Sequence, residues 1–171
     1  IQTIPHKEIP EEARSVRIIA DHMRGGVFLI ADGVMPSNLG AGYILRRLLR
    51  RAIRHGRILN IDKNFLFPLS QKVIEMHKEF YPELAAKKDD ILTVIQKEEE
   101  KFSQTLERGL AELERLFNKK TDKIISGRDA FHLYESFGFP MELVRELAKE
   151  KKFNIDESGW ETALKKHQEI S

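Results

Sequence analysis

The chain has 171 residues, of which 41% are hydrophobic and 33% charged, with no cysteine and a net charge of +2. That length makes one generous domain or two small helical lobes, and the composition is ordinary for a helix-rich globular protein. The lack of cysteine excludes disulfide scaffolds, thiolate zinc sites and thiol nucleophiles, and the longest apolar run, Val27 to Ala31, is far too short to span a bilayer.

Pro10, followed by Glu11 and Glu12, is expected to open the first helix as its N1 residue. Ala13, Val16, Ile19, Ala20 and Met23 recur at helical spacing, and the pattern runs through Phe28 and Ile30 to about Ala31, with a kink or break expected at Gly25-Gly26. Asp32-Gly33 and Pro36-Ser37-Asn38 are turn signals, and Gly40 and Gly42 keep the backbone permissive before the next helix.

That helix is the most informative stretch of the chain. Residues 36–57, PSNLGAGYILRRLLRRAIRHGR, carry six arginines and no acidic residue. At about 100° per residue, Arg46, Arg47, Arg50, Arg51, Arg54 and Arg57 fall within an arc of roughly 140°, with Tyr43 among them. Ile44, Leu45, Leu48, Leu49, Ala52 and Ile53 take most of the other side. A face of guanidinium groups repels itself unless something polyanionic meets it, and nucleic acid is the obvious candidate. The charge along the chain agrees. Residues 1–60 hold one Lys, nine Arg and five acids (+5), so residues 61–171, with the remaining 19 basic and 22 acidic residues, carry −3.

Further on, Asp62 is expected to cap a helix bearing Phe65, Leu66, Leu69, Val73, Ile74 and Met76, which Pro82 ends. Asp89 or Asp90 opens the longest periodic stretch, residues 89–117, with Ile91, Leu92, Ile95, Phe102, Leu106, Leu110, Leu113, Leu116 and Phe117 on one side. Its charges, Glu98-Glu99-Glu100 among them, read as a solvated outer face rather than a metal patch. Ser126 with Asp129 resembles a capping box, Gly138-Phe139-Pro140 ends one helix and starts another, and Asp156 caps a last helix containing Trp160, Ala163 and Leu164. No stretch alternates with period two. The expected fold is therefore all-α: about six to eight helices in two small lobes, residues 1–60 and 61–171, bridged by the long helix.

No active-site constellation is visible. GAGY lacks the lysine and preceding strand of a phosphate loop, and His6, His22, His55, His77, His132 and His167 show no metal-ligand spacing, so they read as solvated or capping residues. Phe65, Phe67 and Trp160 read as core rather than stacking platforms. The Pro-Ser-Asn turn adds a second recognition element, since an amide both donates and accepts and can read a base edge where arginine only grips phosphate.

The run RIIADHMRGGVFLIADGVMPSNLGAGYILRRLLRRAIRHGR resembles the segment that follows the catalytic domain in alanyl-tRNA synthetases. KEEEKFSQTLERGL and AFHLYESFGFPMELVRELAKE resemble the same family's next landmarks, in order, so that the likeness covers about residues 16–169. It implies a helical tRNA-recognition domain, lying between the class II aminoacylation domain and the editing domain, that reads the G·U pair in the acceptor stem of alanine tRNA. By this resemblance Asn38 and the acidic Glu135 form a two-sided clamp on that pair, with Arg46, Arg47, Arg50 and Arg51 on phosphates. Tyr43 and Arg54 join the expected tRNA-binding set from their place on the same helix. The chain departs from the family's NENRGY or NEGRGY with NLGAGY, placing Leu39 and Ala41 where a glutamate and an arginine are common, and Glu135 stands where Asp is common.

ATP with magnesium, and zinc, are implied only for domains of a parent enzyme outside this stretch; no catalytic residue, cofactor or metal is expected here. The chain opens on Ile1, which with the absence of a signal-peptide pattern leads us to expect a piece of a longer cytoplasmic protein. Its expected partners are the acceptor stem and the other domains of the same chain, with no membrane involved. The competing reading is a helical interaction module whose arginines dock an acidic protein; an independent hydrolase or transferase ranks last.

Overall fold

The computed structural model describes residues 10–61 and 64–170. Among them are helices α1 (Glu11–Ala31), α2 (Gly40–Ile58), α3 (Leu66–His77), α4 (Pro82–Ala86) and α5 (Lys88–Lys119), strand β1 (Ile124–Ile125), helices α6 (Gly127–Phe137) and α7 (Met141–Glu150), strand β2 (Asn154–Ile155) and helix α8 (Glu157–Ile170). The all-α reading holds. The parallel pairing of β1 with β2 sets Ile124 opposite Asn154 and Ile125 opposite Ile155, and two-residue strands are too short to display alternation. The expected cap at Asp62, and His6, lie outside the described residues. Two compact units emerge, one ending at Lys97 and the other beginning at Glu98, with the division inside α5.

In the first unit, α1 runs unbroken through Gly25-Gly26, with Pro10 as its N-cap rather than its first turn. The glycines serve packing instead of a kink: a Cβ at Gly26 would stand 3.1 Å from Leu49 Cδ2, so the missing side chain lets α2 approach. Val27, Met23, Leu45, Leu49 and Ala52 are fully buried at this contact. The buried stripe of α1 passes through Ser15, Ile19, Met23 and Val27, leaving Val16 exposed. Ser15 takes the inward position because its Oγ lies 2.9 Å from Nδ1 of the buried His55, which gives the hydroxyl and that ring nitrogen each a partner. Lys87 Nζ donates to Ala31 O at 2.5 Å, placing a cation on the C-terminal carbonyls of α1.

In the second unit, Ser126 caps α6 by accepting from Asp129 N–H at 3.2 Å, while its hydroxyl donates to Asp129 Oδ2 at 2.7 Å. Gly138, at φ 71°, stops α6, and the N–H groups of Gly138 and Phe139 return to Tyr134 O and Leu133 O. Pro140 then caps α7. Asp156 serves two helix starts: Oδ1 accepts from Gly159 N–H at 2.9 Å and from Ser158 Oγ at 2.9 Å, and Oδ2 accepts from Gly127 N–H at 3.3 Å. These bonds, from Gly159 first, then Ser158 and Gly127, hold the Asp156 carboxyl below its ordinary pKa. Phe102 and Phe139 meet edge to face at 5.7 Å in the core. Trp160 is buried with them, in line with the expectation, whereas Phe65 and Phe67 are only half-buried.

Candidate nucleic-acid interface

The turn before α2 is set by its own backbone and by one close approach. Ser37 N–H donates to Gly42 O at 3.1 Å, and Ser37 Oγ donates to Leu39 O at 2.9 Å. A Cβ at Gly42 would stand 2.3 Å from Met35 O, so only glycine lets α2 begin against the folded-back turn. Asn38 projects exposed from this turn. The Arg46 guanidinium, two turns into α2, donates to Asn38 Oδ1 through Nη1 and to Pro36 O through Nη2 at 3.3 Å. Asn38 and Arg46 are thus one unit, with the guanidinium fork bridging side chain and backbone. An amide oxygen has two lone pairs, so Asn38 Oδ1 keeps capacity for a second donor. The first turn of α2 has no acidic residue, and its N-terminal N–H groups add positive field at the same place.

The arginines divide by burial, against the expectation of one open guanidinium face. Arg50 and Arg54 are each only 5% exposed, Arg46, Arg47 and Arg51 are half-buried, and Arg57 is exposed. Burying a guanidinium is costly unless it is partnered, and Arg50 and Arg54 both have partners. Glu98 and Glu99 on α5, expected in a solvated face, are likewise buried and partnered; Glu100 is exposed. Tyr43 is half-buried in the first turn of α2, while Ile44 is exposed although it was expected on the apolar side.

His22 and His55 depart from the solvated reading. His55 is buried against Ser15, and His22 lies between Arg51 and Asp21, with Nε2 3.0 Å from Arg51 Nη1 and Nδ1 3.4 Å from Asp21 Oδ2. Burial, then the Arg51 charge, push the His22 imidazole below its ordinary pKa, with Asp21 pulling the other way. The neutral ring can then accept from Arg51 through Nε2 while donating to Asp21 through Nδ1. This support for Arg51 was missed because it joins residues 29 apart in the chain.

Glu135 belongs to the second unit, exposed near the C-terminal end of α6. His167 Nδ1, on α8, lies 3.4 Å from Glu135 Oε1. Phe131, Tyr134 and Trp160 form an aromatic cluster beside it, with Phe131 5.4 Å from the His167 ring. An open groove of about 870 Å³ runs here between α6 and α8, bordered by Arg128, Lys166 and His167.

Among the described residues no helix is long and apolar enough to cross a membrane. The family model of the class II (A) tRNA synthetases matches residues 1–171. The chain is 47% identical to alanine–tRNA ligase 1 of Lachnoclostridium phytofermentans over 97% of its length, which is 19% of that relative. It is 48% identical to the alanine–tRNA ligase of Elusimicrobium minutum over 96% of the chain and 19% of the relative, and 47% identical to that of Borrelia hermsii over 94% and 28%. The chain thus spans 19–28% of these proteins, and on the full-length family match it belongs to the class II (A) tRNA synthetases.

Proposed function

We propose that this chain is the tRNA-recognition part of an alanine–tRNA ligase, binding the acceptor stem of alanine tRNA and reading its G·U pair. The observation that carries this reading is the Arg46–Asn38–Pro36 linkage, which orders an exposed amide at the head of an arginine-rich helix. A G·U wobble leaves the guanine 2-amino group unpaired in the minor groove of an A-form stem, and that groove is the one side chains reach in RNA. Asn38 Oδ1 accepts from the amino group, and Glu135 supplies a second contact, the acidic one expected from the family's pattern. Arg46, Arg47 and Arg51 grip phosphates. Arg50 and Arg54, being buried, act by fixing the helix that carries the others, and Tyr43 supports its first turn. The aminoacylation and editing chemistry belongs to the rest of the parent protein.

The test is salt-titrated binding of an alanine-tRNA acceptor hairpin. Three half-exposed arginines and Arg57 lead us to expect a log–log salt slope of about −2 to −4, and weaker binding when G·U becomes G·C. Binding unmeasurable at low salt, or indifferent to both the base-pair swap and Asn38→Ala, would refute the reading. Tight binding of an acidic protein with no RNA affinity would support the docking-module alternative in its place.

A further inference from the structure

We infer that His167 is a positioning residue for Glu135, holding its carboxylate in one orientation for base-pair readout; this rests on the reading of Glu135 given above. Glu135 is exposed, with half of its side-chain surface accessible, and a glutamate has one more rotor than an aspartate to immobilise when it meets a base edge. His167 meets that need. Its Nδ1 lies 3.4 Å from Oε1, and its ring packs at 5.4 Å on Phe131, which in turn packs on the buried Trp160 at 5.9 Å. The restraint on Glu135 is therefore anchored in the core of the second unit rather than in another mobile surface chain. A carboxylate has two oxygens and about four acceptor sites, so pairing through Oε1 leaves Oε2 able to accept from a donor on the stem. The contact spans two helices, with α6 supplying the acid and α8 the imidazole. Asp156 joins the starts of the same two helices, so their registry is fixed at one end by a cap and at the other by this pair.

The experiment uses the chain with a G·U acceptor hairpin and its G·C counterpart, comparing His167→Ala, His167→Asn and Glu135→Ala. His167→Ala is expected to lower the G·U-over-G·C affinity ratio about three- to tenfold while changing G·C affinity less than twofold. His167→Asn, whose amide nitrogen stands where the ring Nδ1 stood, restores at least half of the ratio. A purely structural histidine would weaken both hairpins together and would not be rescued by asparagine. In the free protein at a fixed pH, Glu135→Gln is expected to move the His167 ring nitrogen resonances. Unmoved resonances, or an intact ratio in His167→Ala beside a lost one in Glu135→Ala, overturn the inference and leave the reading of Glu135 standing. An intact ratio in both alanine variants, or no measurable RNA binding, overturns that reading and the inference with it.

Discussion

The two units present their candidate recognition groups in opposite ways. In the first, Asn38 rides on a turn locked by Gly42 and Arg46, over a helix whose neighbouring arginines are half or wholly buried. In the second, Glu135 is an open side chain whose order comes from one histidine and an aromatic cluster. On the proposed reading, the first unit builds its grip on phosphate by partly sinking cations into the fold. Burial restricts their rotamers and fixes their register, at the cost of needing partners. On the same reading the carboxylate of Glu135 stays outside the fold, and its pairing with His167 limits the ordering entropy lost at binding.

The largest expected effect separates the buried arginines from the exposed one. Arg50→Ala should destabilise the protein by about 3 kcal/mol, since it strands whatever partners a buried guanidinium, whereas Arg57→Ala should stay within about 0.5 kcal/mol. Urea unfolding followed by circular dichroism measures both, and equal small losses would remove the contrast between the two kinds of arginine. Next comes Gly42→Ala. Its Cβ would press on Met35 O and Ser37 Oγ, costing about 1–3 kcal/mol as for other overpacked sites. It should also push the G·U-over-G·C ratio toward one by displacing Asn38. A variant that loses stability yet keeps the ratio would free Asn38 from the turn geometry. Smaller still, Ser126→Ala should cost about 1 kcal/mol through the lost cap of α6, with the transition read from Trp160, the chain's one tryptophan.

The two units also differ in their response to acid. The folded state lowers the His22 pKa, so the neutral ring's contribution is complete above the unfolded value of about 6.5 and is lost as pH falls through the folded value. Asp156 is also depressed, but its contribution persists down to about 3.9 and fades below that. The protection of amides around His22, after correction for the slower intrinsic exchange in acid, should therefore fall on acidification below neutrality while Trp160 fluorescence holds to about pH 4. His22→Gln should flatten the first limb, and an unchanged acid sensitivity in that variant would dismiss His22 as its source.

Much of the architecture was legible in the chain itself. The periodic apolar spacing of α5, the Ser126 and Asp156 caps and the Gly138-Phe139-Pro140 break all act within a few residues, so their signals survive without tertiary information. What escaped was set by contacts between distant residues. Arg50, Arg54, Glu98 and Glu99 look like solvated charges until their burial is known, because periodicity marks apolar faces and says nothing of paired charges. Ser15 displaced Val16 from the inward face for the sake of His55, 40 residues away. Gly25-Gly26 read as a break because the same residue serves both kinks and close helix contacts. Of the expected site, the Asn38 turn and the basic helix were visible in sequence, whereas the tie from Arg46 to Asn38 and the pairing of His167 with Glu135 needed coordinates.

The proposed readout turns on one contact, from the guanine 2-amino group to Asn38. Replacing guanosine by inosine in the G·U pair removes that amino group and keeps the wobble geometry. The unaltered chain is expected to lose about five- to a hundredfold in affinity, the range of one specific base contact, and Asn38→Ala to bind both hairpins alike. Equal affinity of the unaltered chain for the guanosine and inosine hairpins would exclude readout by Asn38.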